Sequence, residues 1–86
     1  MTDLEFLYEM RRKATNAGYY VFFTQEEVAR MRDIYPYLQC YSWTYLYSKD
    51  VYHTTPKTAH VFLDAAIADE EERITKQVVE RLEKAL

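Results

Sequence analysis

The sequence predicts a single small α+β domain spanning residues 1–86, with the element order α-β-α-β-β-α. Three observations indicate this fold class. Two segments open with the Thr-x-x-Glu pattern that caps helices, a tyrosine-rich segment alternates with a period of two residues, and segment 56–86 carries apolar residues at helical spacing. We therefore expect a three-stranded sheet packed by helices, with a long C-terminal helix.

The first helix is expected from Asp3 to Asn16. Thr2 and Glu5 form a capping box, in which each side chain satisfies the other residue's free backbone N–H. Gly18 is the only glycine. Its position predicts a left-handed C-cap, a conformation that glycine adopts without steric cost.

A short strand and a second helix should follow. Residues 19–23 are aromatic or β-branched on both faces, which is typical of an interior strand covered on two sides. Thr24 and Glu27 form another capping box and open a helix that runs to about Tyr35. Pro36 ends it, because the residue before a proline is disfavoured in the helical region.

Segment 40–48 is the most distinctive part of the chain. It alternates strictly, and this period predicts a half-buried strand. Lys49 and Asp50 make a plausible turn to a hairpin partner at residues 51–54. One face carries the aromatic rings of Tyr41, Trp43, Tyr45 and Tyr47, and the other carries Ser42, Thr44, Leu46 and Ser48.

Thr55-Pro56 reads as a helix N-cap followed by proline in the first helical position. A helix from Pro56 to Leu86 would be about 45 Å long. A domain of this size is only about 30 Å across, so the helix must overhang or break. Asp69 and Glu72 offer a second cap at a break, but no strong helix breaker precedes them and we favour one continuous helix.

The aromatic face of segment 40–48 is the first candidate binding surface. Tyrosine and tryptophan are enriched in protein interfaces, which makes Tyr41, Trp43, Tyr45 and Tyr47 candidate partner-binding residues. Burial of the same rings in the core is the competing interpretation and the one we favour, because the hydroxyl-bearing face is a poor core. Base stacking by these rings is the least favoured interpretation.

The acidic run Asp69, Glu70, Glu71 and Glu72 is the second candidate partner-binding surface. A row of carboxylates near tyrosines can imitate the phosphates of a nucleic acid and occupy a basic groove. The simpler interpretation is a solvated helix face. It is favoured by three i,i+4 pairs in the favourable order, Asp69–Arg73, Glu72–Lys76 and Glu80–Lys84.

We assign no catalytic residue, metal ligand or cofactor. His53, His60, Cys40 and Asp64 are the only ingredients for such chemistry, and they lack the spacing of a zinc site. A nucleophilic pair of Cys40 with a histidine stays open, because its members need meet only in space. A single glycine excludes the usual phosphate-cradling loops of ATP, GTP and NAD enzymes.

The net charge of −3 and the pI near 5.3 argue against nucleic acid as the partner. The single cysteine fits a reducing compartment, the acidic start does not resemble a signal peptide, and no apolar run approaches the roughly 20 residues that span a bilayer. The expected location is the cytoplasm, and the host cytoplasm if the protein is viral.

These observations favour a non-enzymatic module that binds another protein. In size and composition the chain resembles the small inhibitors that phages and mobile elements direct against host nucleic-acid-processing or defence proteins; the resemblance rests on no motif. The alternative function is binding of nucleic acid or a small ligand such as a nucleotide on the aromatic sheet. Self-association through the C-terminal helix, giving a homodimer, is a further hypothesis.

Overall fold

The computed structural model describes residues 1–37 and 43–85. Over these ranges the chain forms three helices and three strands in the predicted order, and the fold is a small α+β domain. The elements are α1 (Asp3–Thr15), β1 (Val21–Thr24), α2 (Gln25–Ile34), β2 (Thr44–Leu46), β3 (Val51–Thr54) and α3 (Pro56–Ala85).

Both predicted capping boxes are present. In α1 the Glu5 backbone N–H donates to Thr2 Oγ1 at 3.2 Å, and the Thr2 backbone N–H donates to Glu5 Oε1 at 3.1 Å. The pair formed by Thr24 and Glu27 at the start of α2 is equivalent, at 3.1 and 2.8 Å. Thr55 caps α3, where its Oγ1 accepts from the Thr58 backbone N–H at 3.3 Å.

The prediction of a left-handed cap at Gly18 was wrong. The cap of α1 is Asn16, whose φ of −88° is right-handed and whose N–H donates to the Arg12 carbonyl at 3.0 Å. Gly18 has no positive φ, because the helix end is satisfied before the chain reaches it. Asp50, in the hairpin turn, adopts the left-handed conformation instead, with φ 55°. Aspartate tolerates this region better than most residues.

The sheet is antiparallel with strand order β1-β3-β2. The prediction that the first strand is interior and covered on both sides was wrong. β1 lies at the edge, begins at Val21, and exposes Phe22 while it buries Val21 and Phe23. The reason is that β3 occupies the centre of the sheet and only the Val21 and Phe23 side of β1 belongs to the core.

The hairpin between β2 and β3 is shorter than predicted. Leu46 pairs with Val51, so Tyr47 and Ser48 belong to a four-residue turn with Lys49 and Asp50 and not to the strand. Positions 40–42 of the predicted strand lie outside the described residues.

The core lies between the inner face of the sheet and the three helices. Phe23, Phe62, Leu7 and Met31 are fully buried at its centre, and Trp43, the residue just before β2, packs against it. Trp43 stacks on Phe23 with ring centroids 5.0 Å apart and meets Phe62 edge-on at 5.7 Å. The inward orientation predicted for Trp43 is confirmed.

Helix α3 is continuous through the acidic run and leaves the body of the domain, as predicted. Glu70 is its last buried residue, and every residue from 71 to 85 is exposed. The resulting particle measures 56 × 24 × 20 Å. We call residues 71–85 the α3 overhang and residues 1–70 the body.

Glu27 joins α2 to α1, and its charge is expected to make stability depend on pH. Burial acts to raise the pKa of the Glu27 carboxyl. The hydrogen bond from the Thr24 N–H and the ion pair with Lys13 at 2.9 Å outweigh it, so the pKa lies below its ordinary value. Such a group stabilises the fold above its unfolded pKa, and that contribution is lost as pH falls through the folded pKa.

We therefore expect Glu27→Gln to lower the free energy of unfolding by about 1 kcal/mol at neutral pH. Glutamine can still accept from the Thr24 N–H but does not pair electrostatically with Lys13. Urea unfolding at neutral and acidic pH measures the effect, which should disappear in acid. Glu26→Gln, at an exposed position in the same turn, is the control and should change stability less. An equal loss at both pH values would contradict the assigned role.

Candidate functional site

The outer face of the sheet carries an exposed aromatic surface. Alternation along β1 points Phe22 away from the core, and the strand register places His53 of β3 directly beside it. Tyr20, just before β1, lies over His53. We call Tyr20, Phe22 and His53 the outer platform.

The rings of the outer platform contact one another. Tyr20 stacks on His53 with centroids 4.9 Å apart and an interplanar angle of 10°, and Phe22 meets His53 at 6.1 Å and 57°. Tyr20 is 53% exposed and Phe22 is 40% exposed. The neighbouring Tyr19 is 92% exposed. The result is an exposed aromatic surface beside edge strand β1 of a small sheet.

Two polar features adjoin these rings. Lys49 Nζ lies 5.8 Å from the Phe22 ring centroid, within cation–π range. His53 Nδ1 is buried with no hydrogen-bond partner within the ranges 1–37 and 43–85. A buried, unsatisfied nitrogen is unfavourable by about 1–3 kcal/mol, and the Tyr20 ring stacks over this imidazole.

The four predicted aromatic residues do not form one surface. Tyr41 lies outside the described residues, and Trp43 is committed to the core. Tyr45 is half-buried against Tyr52, at a centroid distance of 5.1 Å. Tyr47 is 88% exposed on the turn, so the inward orientation predicted for it was wrong. It has no strand partner because the hairpin closes two residues earlier than predicted, at Leu46.

The turn end of the sheet has its own hydrogen-bond cluster. Tyr45 donates its hydroxyl hydrogen to Asp50, and Gln25 Nε2 donates to the Tyr45 oxygen at 2.8 Å. The hydrogen bond to Asp50 raises the pKa of the Tyr45 phenol above its ordinary value, and desolvation acts in the same direction. This cluster anchors the turn that presents Lys49 to Phe22.

The predicted acidic surface is largely engaged within the chain. Glu70 is only 4% exposed and accepts two hydrogen bonds from Arg73, at 2.5 and 3.1 Å. Arg73 thus pairs with Glu70 rather than with the predicted Asp69. Glu72 pairs with Lys76 at 3.2 Å, in the predicted i,i+4 relation.

Glu71 is held across two helices. It accepts a hydrogen bond of 2.5 Å from the hydroxyl of Tyr8 in α1, and that bond raises the pKa of the Tyr8 phenol. Asp69 is exposed. The carboxylates of the run therefore point to different partners instead of forming a free row.

The candidate catalytic residues have other partners. Asp64 forms an ion pair with Arg11 at 2.9 Å, and His60 Nε2 lies 3.4 Å from Thr15 Oγ1. His53 belongs to the outer platform, and Cys40 lies outside the described residues. Within the described part of the chain, no three or more His, Cys, Asp or Glu side chains are grouped closely enough to hold a metal ion.

Sequence reasoning missed Tyr20, Phe22 and His53 as surface residues. The run 19–23 is apolar at every position, and this pattern does not distinguish a strand covered on both faces from an edge strand with an aromatic outer face. One signal of exposure exists: Phe22 pairs across the sheet with His53 and not with an aliphatic residue. That signal can be used only when the strand register is known.

No helix within residues 1–37 and 43–85 is both long enough and apolar enough for a bilayer crossing. Comparison with protein-family models, with curated protein sequences and with solved structures finds no match, so the function must be inferred from the chemistry of this surface.

Proposed function

We propose that the chain is a non-enzymatic protein-binding module whose partner docks on the outer platform. One observation carries the proposal, namely that Tyr20 and Phe22 expose their rings together on the outer face of the sheet. Aromatic side chains in a cluster bring large apolar contact areas at a small cost in conformational entropy, which is why they dominate binding hot spots.

Edge strand β1 supports the same proposal. Its described partner is β3 alone, so a docking protein meets both the aromatic rings and the edge of a sheet. Exposed strand edges are regular docking sites for extended segments of other proteins. Burial of the rings contributes affinity, and backbone pairing with the edge of β1 fixes the orientation of the bound segment.

Charge favours a partner with a basic surface. The body holds ten carboxylates and seven cations, which accounts for the whole net charge of −3. A basic partner would associate rapidly and with salt dependence. Proteins that process nucleic acids or act in defence against them carry such surfaces, and small size with acidic composition is consistent with an inhibitor deployed by a phage or mobile element in a host cytoplasm.

Binding of a nucleic acid or nucleotide on the platform is the second candidate. Stacked rings on an open sheet are the geometry that favours it. The charges oppose it, because six of the eleven cations are paired with carboxylates. Only Lys49 has a described contact with the platform. A single nearby cation releases few counterions, so the electrostatic gain is small.

The test compares variants in the capture and titration of a partner from a native lysate. Phe22→Ser and Tyr20→Ser should each weaken binding of the purified partner tenfold or more, measured by calorimetric titration. Val61→Ser is the matched control, because Val61 is 54% exposed on α3 of the body and should bind as the wild type does. Unchanged binding by both platform variants would refute the proposal.

Nucleic acid is tested separately with a fluorescently labelled single-stranded oligonucleotide. Anisotropy is the suitable signal, because Trp43 stacks under Phe23 and does not report on the outer face. We expect no binding at low salt. Binding that is lost in Phe22→Ser would replace the protein partner with the second candidate.

A further inference from the structure

The α3 overhang carries an exposed apolar face. Its apolar residues are Ile74, Val78, Val79 and Leu82, which are between 38% and 61% exposed. Successive helical residues differ by about 100°, so Ile74 lies within the sector of the buried residues of α3, and the face then drifts around the helix through Val78 and Leu82 to Val79. The apolar stripe of α3 therefore continues, with a drift, beyond the residues that the body buries.

Polar residues adjoin this apolar face on the side in line with the centre of the core-facing surface. They are Arg73, Gln77, Arg81 and Lys84. A helix that merely extended into solvent would need no apolar face, because solvated helix surfaces are normally polar all round. The four exposed apolar side chains thus indicate a surface for a partner.

We propose that the occupant of this face is the same face of a second copy, in an antiparallel helix pair. The overhang contains four carboxylates and four cations, so two overhangs meet without net repulsion. The net charge of each chain resides in the body. An antiparallel pair puts the two acidic bodies at opposite ends, whereas a parallel pair would bring them together.

Local charges favour the same direction. The acidic run 69–72 lies at the base of the overhang, whereas the tip is neutral, because Glu80 and Glu83 balance Arg81 and Lys84. Antiparallel pairing places the neutral tip of one copy beside the acidic base of the other. A parallel pair would align the two acidic runs, and like charges in register are destabilising.

The length of the overhang sets the strength of the dimer. Fifteen residues make about four turns and about 22 Å of helix. Such a contact buries less than the roughly 800 Å² per partner of a standard stable interface. The dimer is therefore reversible, with a Kd between about 10 µM and 1 mM.

Sedimentation velocity from about 10 µM to about 1 mM tests the proposal on the full chain. The wild type should shift from monomer toward dimer over this range. The double variant Val78→Glu, Leu82→Glu should raise the Kd at least tenfold, because it buries charge in the helix pair. Circular dichroism confirms that α3 persists, since glutamate is a good helix former.

Val61→Glu is the control, because Val61 is similarly exposed on α3 but lies in the body; its Kd should equal that of the wild type. Small-angle scattering should give a dimer length of about 90 Å, from two 56 Å particles that overlap along the overhang. A monomer across the whole range, or a dimer unaffected by the double variant, would overturn the proposal. Neither outcome bears on the outer platform, which belongs to the sheet.

Discussion

Replacement of Phe23 by alanine is expected to lower the free energy of unfolding by about 3–5 kcal/mol. Phe23 is fully buried, stacks on Trp43 at 5.0 Å and lies under Lys13, whose Nζ is 5.1 Å from its centroid. Its loss leaves a cavity where the sheet meets the helices. A domain of this size has a total stability of roughly 4–13 kcal/mol, so the variant should be close to unfolding at room temperature.

Phe22→Ala is the matched control, because Phe22 is adjacent in sequence but 40% exposed on the opposite face of β1. Its cost should be below about 1 kcal/mol. Urea unfolding of both variants measures the difference. Similar losses in the two variants would mean that the outer face is covered and that the open sheet described above is incorrect.

Arg73→Ala is expected to lower the free energy of unfolding by about 2–3 kcal/mol, although Arg73 lies at the surface. Its guanidinium makes two hydrogen bonds to Glu70, whose side chain is only 6% exposed. Alanine leaves that carboxylate buried without this partner. The half-exposed position of Arg73 keeps the effect below that of a fully buried ion pair.

Lys76→Ala provides the comparison one turn further along α3. Lys76 pairs with Glu72, but both side chains are about two-thirds exposed, so the loss should not exceed about 0.5 kcal/mol. Thermal unfolding measures the difference in stability loss. It is applied to Arg73→Ala, to Lys76→Ala and to the double variant Arg73→Ala, Glu70→Gln. Equally mild losses in Arg73→Ala and Lys76→Ala would contradict the claim that the buried Glu70 carboxylate depends on Arg73.

The parts of the fold that local sequence determines were predictable. The capping boxes of Thr2 and Thr24 and the Thr55-Pro56 start of α3 involve residues three positions apart at most, and all are present. The overhang was also predictable from the sequence. The expected length of the C-terminal helix exceeds the expected diameter of the domain, so a continuous helix must extend beyond it. Strand order was not predictable, since it depends on the pairing of distant strands.

The candidate site was predicted less well for the same reason. The prominent alternation around Trp43 predicted a strand and favoured burial of its ring, which contacts Phe62, a residue 19 positions away in sequence. The less regular run around Phe22 became the exposed surface. Which of two aromatic strands faces water is decided by how the helices cover the sheet, and neither strand encodes that alone.

The outer platform is the central claim, and site-specific photo-crosslinking tests it most directly. A benzophenone amino acid at position 22, in protein produced in its native host, should capture one defined protein. The same group at position 61, exposed on α3 of the body, should not capture that protein. No adduct from position 22, or the same adduct from both positions, would contradict the account.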